Sequence, residues 1–280
     1  MGKRDSIRAP IRYAGGKTRA LKFIDIPDVP VLVSPFLGGG AIEVAASQRG
    51  IKVLGYDVFD ILVNFWQVLL TDPESLVEEL RKWSPDAETY ANVKNTLKFH
   101  WKGQVCLNPL ELAAHYFFNF QLSYGPNFLG YTSSIYHSHT KYDRMLARLK
   151  EFKLKDFTVE CKSFEEVIPL TDEFMYLDPP YRLEDSKIFT GIYPSRNCPI
   201  HHKNFDHNLL AKLLKAHRGK FILSYNDCEW VRRTYNEYNI REVYWHYSLG
   251  QGEVRLGLNR KKRENPSHIK RGGELLIKNW

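Results

Sequence analysis

One short segment carries the residues best suited to chemistry. Residues 174–177 form an apolar run typical of a buried strand, and Asp178, Pro179, Pro180 and Tyr181 follow it. The prolines stiffen the turn and remove N–H donors, so the turn offers two acceptors, the Asp178 carboxylate and the Pro179 carbonyl. Two acceptors that hold a planar nucleobase amine would draw its nitrogen towards a tetrahedral geometry and stabilise the positive charge that develops when it attacks an electrophile. Tyr181 would offer a stacking face for a base taken out of its helix. We therefore predict these four residues to be catalytic; the alternative is a tight structural turn in which the Asp only caps a helix.

A glycine-rich turn supplies a second candidate site. The pattern F-x-G-x-G, with Phe36, Gly38 and Gly40 at its fixed positions, follows the β-branched run at residues 31–33, and Asp57 closes the next apolar run. Glycines without Cβ let a ligand lie against the backbone, and a carboxylate at the tip of the second strand can accept both hydroxyls of a ribose. These residues are predicted to bind a nucleoside cofactor. The alternative is an ordinary turn followed by a helix-capping Asp.

Three other motifs are ruled out or disfavoured by their spacing. Gly16, Lys17 and Thr18 resemble the end of a P-loop, but the earlier glycine would fall at Ile11. The glycine-rich turn fails the dinucleotide fingerprint because its third glycine would fall at Glu43. A possible metal cluster comprises Cys198, His201, His202 and His207. It has no partner thiol at the spacing of structural zinc sites, so no metal is predicted.

The positive charge is concentrated in two segments. The 280-residue chain has a net charge of +8. Residues 1–19 contain six basic side chains and one acidic, and residues 255–271 contain seven basic and one acidic, which leaves −3 for residues 20–254. Two basic segments that converge on one polyanion would explain this pattern, and two solvated tails on a neutral body are the alternative. The predicted phosphate contacts in the second segment are Arg260, Lys261, Lys262 and Arg263.

Strands and helices alternate over most of the chain. Strands are predicted at residues 31–33, 53–57, 157–161, 174–177, 221–225 and 243–247, and helices at 41–48, 61–70 and 209–216. Apolar strands that alternate with helices favour a largely parallel sheet covered on both faces. The fold class is therefore α/β.

Between residues 73 and 150 the pattern becomes mainly helical and rich in aromatic side chains. These aromatics are predicted to form a core of this segment in preference to a base-stacking surface. The loop at residues 123–131, rich in Gly, Pro and Asn, is too polar for a core and is a candidate contact segment. The segment is interpreted as a smaller inserted domain.

Taken together in their order, the motifs resemble those of the Dam-like, alpha-group DNA adenine methyltransferases. They are Arg12-Tyr13-Ala14-Gly15-Gly16-Lys17, Ser34 to Gly40, Asp57, Asp178-Pro179-Pro180-Tyr181, Phe205-Asp206-His207, Leu223-Ser224-Tyr225-Asn226 and Gly273-Glu274-Leu275-Leu276-Ile277. Each motif is loose alone, but seven in order across almost the whole chain are specific. Tyr13 stands where members of the group often have Trp, and Ser34 and Ser163 where many have Glu and Asp.

The resemblance implies a Rossmann-like methyltransferase sheet at residues 1–72 and 151–280 with a target-recognition domain inserted at 73–150. It implies S-adenosylmethionine as methyl donor and the N6 amine of a flipped adenine in double-stranded DNA as acceptor. Carried over by position, Tyr13, Lys17, Asp57 and Asp178 would contact the cofactor. With DNA as the implied partner, the predicted DNA contacts are Arg12, Tyr124 and Asn127 of the loop at 123–131, and the basic run at residues 260–263.

Two alternatives in function stay open at this point. One is methylation of RNA or of the cytosine amine, and the other is a DNA-binding protein on an inactive methyltransferase scaffold. Four scattered cysteines without a C-x-x-C pair, and no apolar run of membrane-spanning length, predict a cytoplasmic protein associated with the nucleoid through DNA. A cognate restriction endonuclease and the oligomeric state are not decided by the sequence.

Overall fold

The computed structural model describes residues 7–13, 15–125, 127–182, 205–245 and 272–280. Its strands are β1 (Val31–Ser34), β2 (Lys52–Asp57), β3 (Phe157–Cys161), β4 (Phe174–Leu177), β5 (Phe221–Asn226), β6 (Asn239–Trp245) and β7 (Gly272–Lys278). Its helices are α1 (Ala41–Gln48), α2 (Asp60–Thr71), α3 (Pro73–Arg81), α4 (Ala87–Trp101), α5 (Pro109–Leu122), α6 (His139–Lys150), α7 (Phe164–Val167), α8 (His207–Ala216) and α9 (Glu229–Thr234).

The strands form one seven-stranded sheet in the order β3-β2-β1-β4-β5-β7-β6. The first five are parallel, whereas β7 runs antiparallel to both β5 and β6. Strand β1 lies between β2 and β4, so the chain leaves it in one direction along the sheet and returns on its other side. In open α/β sheets, ligands bind at such a switch point, outside the carboxyl ends of the strands. The glycine-rich turn, Asp57 and Asp178 all follow strands at this edge.

The α/β class and the alternation of elements are confirmed. The predictions of β3, β4 and α1 agree with the observed bounds. Helix α8 begins two residues earlier than predicted, at His207, because the Asp206 side chain accepts a hydrogen bond from Leu209 N at 2.8 Å and caps it. The strand predicted at residues 243–247 begins four residues earlier, at Asn239, because its first residues are mostly polar and do not show the apolar pattern of a strand. The last two predicted residues, 246 and 247, lie outside the described residues.

Two apolar clusters cover the faces of the sheet. One face packs on α7, α8 and α9, and the other packs on α1 to α6. The second cluster is continuous from the sheet through the buried Trp66 of α2 into the aromatic helices. Most aromatics of the helical segment are buried there, as predicted, although Phe99 and Trp101 are 47% and 39% exposed. The segment therefore shares its core with the sheet. No helix in the described parts of the chain is both long and apolar enough to span a bilayer.

Candidate active site

The turn after β4 places a carboxylate at the edge of the sheet. All four residues of β4 are buried, and Asp178 follows the last of them with its side chain 23% exposed. The Lys17 ammonium donates to both carboxylate oxygens of Asp178, at 2.7 Å each, and to the Gly15 carbonyl at 3.1 Å. It also lies 3.0 Å from the Tyr181 hydroxyl. Lys17 therefore joins the N-terminal segment to the Asp-Pro-Pro-Tyr turn.

The electrostatics of this pair are set by burial. Burial favours the neutral form of Lys17, but the negative charges of Asp178 and Glu274 outweigh that effect and raise the pKa of Lys17 above its ordinary value. Burial raises the pKa of Asp178 from its ordinary value, and the Lys17 charge acts in the opposite direction. The ammonium is thus charged at neutral pH, which favours an ionised Asp178 beside it.

Tyr181 is buried in the apolar cluster that packs on α7, α8 and α9. Only 5% of the residue is exposed, and its ring stacks on Tyr225 with a centroid distance of 6.2 Å and an interplanar angle of 25°. Arg182 N donates to Asn226 Oδ1 at 3.0 Å, and Asn226 Nδ2 donates to the Arg182 carbonyl at 3.1 Å. This reciprocal pair fastens the chain just after the turn to the end of β5. The predicted stacking of Tyr181 on a base stays a prediction.

The glycine-rich turn is held by Asp57 and Trp66. Gly38 and Gly40 have φ angles of +49° and +67°, which favour glycine. Asp57 accepts hydrogen bonds from Gly38 N and from Phe59 N, at 3.0 Å each, and the Trp66 indole donates to the Gly38 carbonyl at 3.0 Å. Asp57 therefore fixes the glycine-rich turn against the end of β2.

Aromatic rings flank this turn on two sides. Tyr13 stacks on Phe120 of α5, with ring centroids 5.6 Å apart, and a Cβ placed on Gly38 would lie 3.0 Å from Tyr13 Cε1. Phe36 is half-buried and contacts the rings of Phe164 and Phe205, at 5.6 and 5.8 Å. The structure thus brings the predicted cofactor residues from four separate segments to one edge of the sheet.

Comparison with known proteins agrees with this arrangement. The family profile of the D12 class N6 adenine-specific DNA methyltransferases matches residues 13–249. The chain belongs to this family. A DNA adenine methylase from Vibrio cholerae serotype O1 is 24% identical over 239 residues, which cover 81% of this chain and 84% of that protein. A DNA N-6-adenine-methyltransferase from Escherichia phage P1 is 26% identical over 253 residues, 84% of this chain and 32% of the phage protein. The protein is an adenine-specific DNA methyltransferase.

Two buried carboxylates of the methyltransferase were not among the predicted site residues. Glu274, at the start of β7, is fully buried, and its Oε2 lies 3.9 Å from the Lys17 ammonium. Glu43, on α1, is 2% exposed and accepts a hydrogen bond from the Ser34 hydroxyl at 2.7 Å. Burial raises the pKa of Glu274 to about 8 and that of Glu43 to about 7. An acidic residue directly before or inside an apolar run is the signal that identifies both.

Glu43 also bears on a departure from the family pattern. Ser34, where many members have Glu, binds the carboxylate of Glu43. A carboxylate is therefore present beside β1, supplied by α1 instead of the strand.

The predicted DNA contacts of the methyltransferase have different surroundings. Arg12 donates from Nε to Gln121 Oε1 at 3.3 Å, and its guanidinium lies 4.1 Å from the Tyr136 ring centroid. Asn127 N donates to the Ser123 hydroxyl at 3.1 Å within the loop, and Tyr124 is 46% exposed. The basic run at residues 260–263 lies outside the described residues, as do Cys198, His201 and His202. Within the described ranges, no group of three or more His, Cys, Asp or Glu side chains could hold a metal ion.

Proposed function

We propose that this methyltransferase transfers the methyl group of S-adenosylmethionine to an adenine that has been turned out of a DNA duplex, with Asp178 as the acceptor that holds the amine. The observation that carries the proposal is the position of Asp178. It is a largely buried carboxylate at the carboxyl edge of the sheet, one strand away from a glycine-rich turn with two glycines in the left-handed region.

The residues at this edge fit that methyl donor. Its sulfonium is a cation, and this edge holds more carboxylates than ammonium groups: Asp178 and Glu274 lie beside Lys17, and Glu43 senses the same charges. Asp57, at the end of β2, is the proposed acceptor for the ribose hydroxyls. The left-handed Gly38 and Gly40 would shape the turn against which the cofactor lies, and Tyr13 and Phe36 would flank it with their rings.

The turn at Asp178 suits the amine of adenine. The carboxylate and the Pro179 carbonyl would accept its two hydrogens and favour the pyramidal nitrogen that attack requires. When bound, the cofactor supplies an electrophilic methyl group. Asp178 then stabilises the positive charge that grows on the attacking nitrogen. No described residue has to act as a covalent nucleophile.

The proposed division of labour follows the fold. Residues 1–72 and 151–280 would form the catalytic domain, and residues 73–150 would recognise the target in double-stranded DNA. Exposed Tyr124 and the neighbouring Tyr131, whose ring lies 4.9 Å from the Lys94 ammonium, support a DNA-facing role for the loop at 123–131. The Arg12 guanidinium is bound to α5 and Tyr136, so its proposed role is to order this loop next to DNA.

Cofactor binding is tested first. Asp57→Ala should weaken binding of S-adenosylmethionine in a calorimetric titration, because a desolvated ribose loses a charged acceptor worth about 2 kcal/mol. Asp60→Ala is the matched control: Asp60 is exposed, and its side chain accepts a hydrogen bond from Ile61 N at the start of α2. Equal affinities for the two variants would remove Asp57 from the cofactor site.

Methyl transfer is tested with Asp178→Ala and Asp178→Asn. Loss of an acceptor at a developing charge costs about 3 kcal/mol, so both variants should lose more than about 100-fold in single-turnover rate. Folding and cofactor affinity are measured alongside, because Lys17 binds the same carboxylate. A rate within about tenfold of the parent would mean that Asp178 only shapes the turn.

The target is found by mapping methylated adenines in DNA from a host that expresses the chain. N6-methyladenine at one sequence context would support the proposal and define a duplex for the experiments below. Methylcytosine, methylated RNA, or no methyl transfer despite cofactor binding would favour the alternatives.

A further inference from the structure

The Lys17 ammonium lies between two carboxylates but much closer to one of them. It lies 2.7 Å from both oxygens of Asp178 but 3.9 Å from Glu274 Oε2. Lys17 and Glu274 are 3% and 0% exposed.

Glu274 is held in place without a hydrogen bond of normal geometry. Neither of its carboxylate oxygens makes a hydrogen bond of normal geometry among the described residues, although the nearby Tyr181 hydroxyl interacts with the carboxylate and acts to lower its pKa. Its backbone cannot move away, since β7 is paired on both sides and Glu274 lies opposite Asn226 of β5 and Val243 of β6. A fully buried carboxylate that lacks well-formed hydrogen bonds is costly, which gives Glu274 a strong preference for a closer cation. Burial accordingly raises its pKa to about 8, and Lys17 acts to lower it.

The resting position of Lys17 opposes the proposed role of Asp178. With the ammonium on both oxygens, the carboxylate is neutralised and its best acceptor positions are taken. A neutral amine competes poorly with an ammonium for a carboxylate, because charge-assisted hydrogen bonds are about twice as strong. A neutralised Asp178 would also stabilise a developing positive charge less well than a free one.

We propose that Glu274 is a positioning residue that draws Lys17 away from Asp178 when adenine enters the site. The ammonium has to move by only about 1 Å to reach hydrogen-bond distance of Glu274, which rotations near the end of the lysine side chain can supply. The move completes the hydrogen bonds of Glu274 and frees Asp178 for the amine. This inference rests on the proposed function of Asp178.

The first test is a double-mutant cycle in single-turnover methyl transfer to a duplex that carries the mapped target. The assay is run at a pH above about 8, where Glu274 is ionised. Glu274→Gln then keeps the shape of the side chain and removes its charge, so Lys17 should stay on Asp178 and the rate should fall by about tenfold or more. The affinity for S-adenosylmethionine, measured by calorimetry, should change by less than about threefold. In a Lys17→Met background, Glu274→Gln should have almost no effect, because no ammonium is left to move.

Glu43→Gln is the matched control for loss of a buried carboxylate. Glu43 bonds to Ser34 and senses the charge of Lys17 without contacting the ammonium, so its effect on the rate should depend much less on the Lys17 background than that of Glu274→Gln. If the effect of Glu274→Gln depends on the background no more than that of Glu43→Gln, Glu274 has a purely structural role and the proposal is wrong. That result leaves the role of Asp178 intact, since the Asp178→Asn experiment tests it separately.

A second measurement covers the case in which Lys17→Met is too slow to assay. The ε-methylene resonance of Lys17, in protein labelled with ¹³C at lysine and assigned by its absence from Lys17→Met, reports the surroundings of the ammonium. In complex with S-adenosylhomocysteine, addition of the mapped duplex should shift this resonance in the parent and not in Glu274→Gln. An equal shift in both proteins would overturn the proposal.

Discussion

Substitution of Gly40 by Ala tests how α1 and the glycine-rich turn are held. Gly40 precedes α1 at φ +67°, and Gly50 follows it at φ +87°. Both positions therefore impose a similar left-handed strain on an Ala. They differ in their surroundings: a Cβ at Gly40 would lie 2.6 and 2.8 Å from Cζ2 and Cη2 of Trp66, whereas a Cβ at Gly50 has nothing within 4 Å.

The cost of each substitution follows from these distances. A left-handed φ angle destabilises an Ala by about 1–2 kcal/mol. Replacing Gly by Ala also reduces the conformational entropy of the unfolded chain, which stabilises the folded protein by about 0.5 kcal/mol or more. Gly50→Ala should therefore lower the free energy of unfolding by about 1 kcal/mol. Gly40→Ala adds about 1–3 kcal/mol of overpacking, because the fully buried Trp66 ring stacks on Phe157 and cannot swing away. Displacing the indole also endangers its hydrogen bond to the Gly38 carbonyl, worth about 1 kcal/mol. The expected total is about 3–5 kcal/mol.

Urea denaturation of the two variants measures the difference, and calorimetry measures cofactor binding. We expect Gly40→Ala to be less stable than Gly50→Ala by about 2–4 kcal/mol and to bind S-adenosylmethionine more weakly, because the turn that it distorts faces the proposed cofactor site. Trp66→Phe removes the two clashing atoms and should restore part of the loss in the Gly40→Ala background. Equal costs for the two Ala variants, or no recovery with Trp66→Phe, would refute the role of Trp66 in fixing the turn.

Three further outcomes are expected. If the Tyr181 ring holds the flipped base, Tyr181→Ala should strongly impair methyl transfer and Tyr181→Phe should impair it only mildly, since stacking is worth about 1–3 kcal/mol. Fluorescence of 2-aminopurine placed at the target position reports base flipping. Equal fluorescence and equal turnover in Tyr181→Ala and the parent would mean that the ring only packs on the core. Neutralising the basic side chains of residues 260–263 should weaken binding to specific and random DNA duplexes alike. The slope of the logarithm of the binding constant against the logarithm of the salt concentration should become shallower by about one for each lost phosphate contact. An unchanged slope would mean that these residues do not contact DNA. Because the folded pKa of Glu43 is raised to about 7 from 4.5, its contribution to stability is present below pH 4.5 and is lost as pH rises through 7. Glu43→Gln should therefore gain up to about 3 kcal/mol over the parent between pH 5 and pH 8, and a pH-independent difference in urea denaturation would contradict the assignment.

The sequence predicts those strands and helices whose residue pattern is visible within a short stretch of chain. The apolar run before Asp178 and the β-branched run before Gly38 predict strands that end at one edge, and the α/β class follows from their alternation with helices. The start of β6 is missed because its first residues are exposed and polar, and its pairing with β7 is a contact between distant segments.

The site residues that the sequence predicts are those whose type and position in a strand already indicate a ligand-binding role. Asp178 and Asp57 follow buried strands, which is where α/β folds place ligand-binding carboxylates. The ion pair of Lys17 with Asp178 and its nearness to Glu274 depend on how three remote segments pack, and no local pattern contains that information. The burial of Tyr181 on Tyr225 is a tertiary contact of the same kind.

The position of β7 has a consequence for protein synthesis. Strands β5 and β6 leave the ribosome before β7, yet β7 inserts between them, and it is the only strand in the described residues that pairs with β6. A nascent chain therefore holds an open edge on β5 and an unpaired β6 until β7 emerges, and such edges are prone to wrong pairing. Glu274 arrives on the same strand. A ribosome-bound chain that has not yet released β7 thus lacks the second carboxylate beside Lys17, so the complete charge cluster forms only when synthesis of this strand is finished.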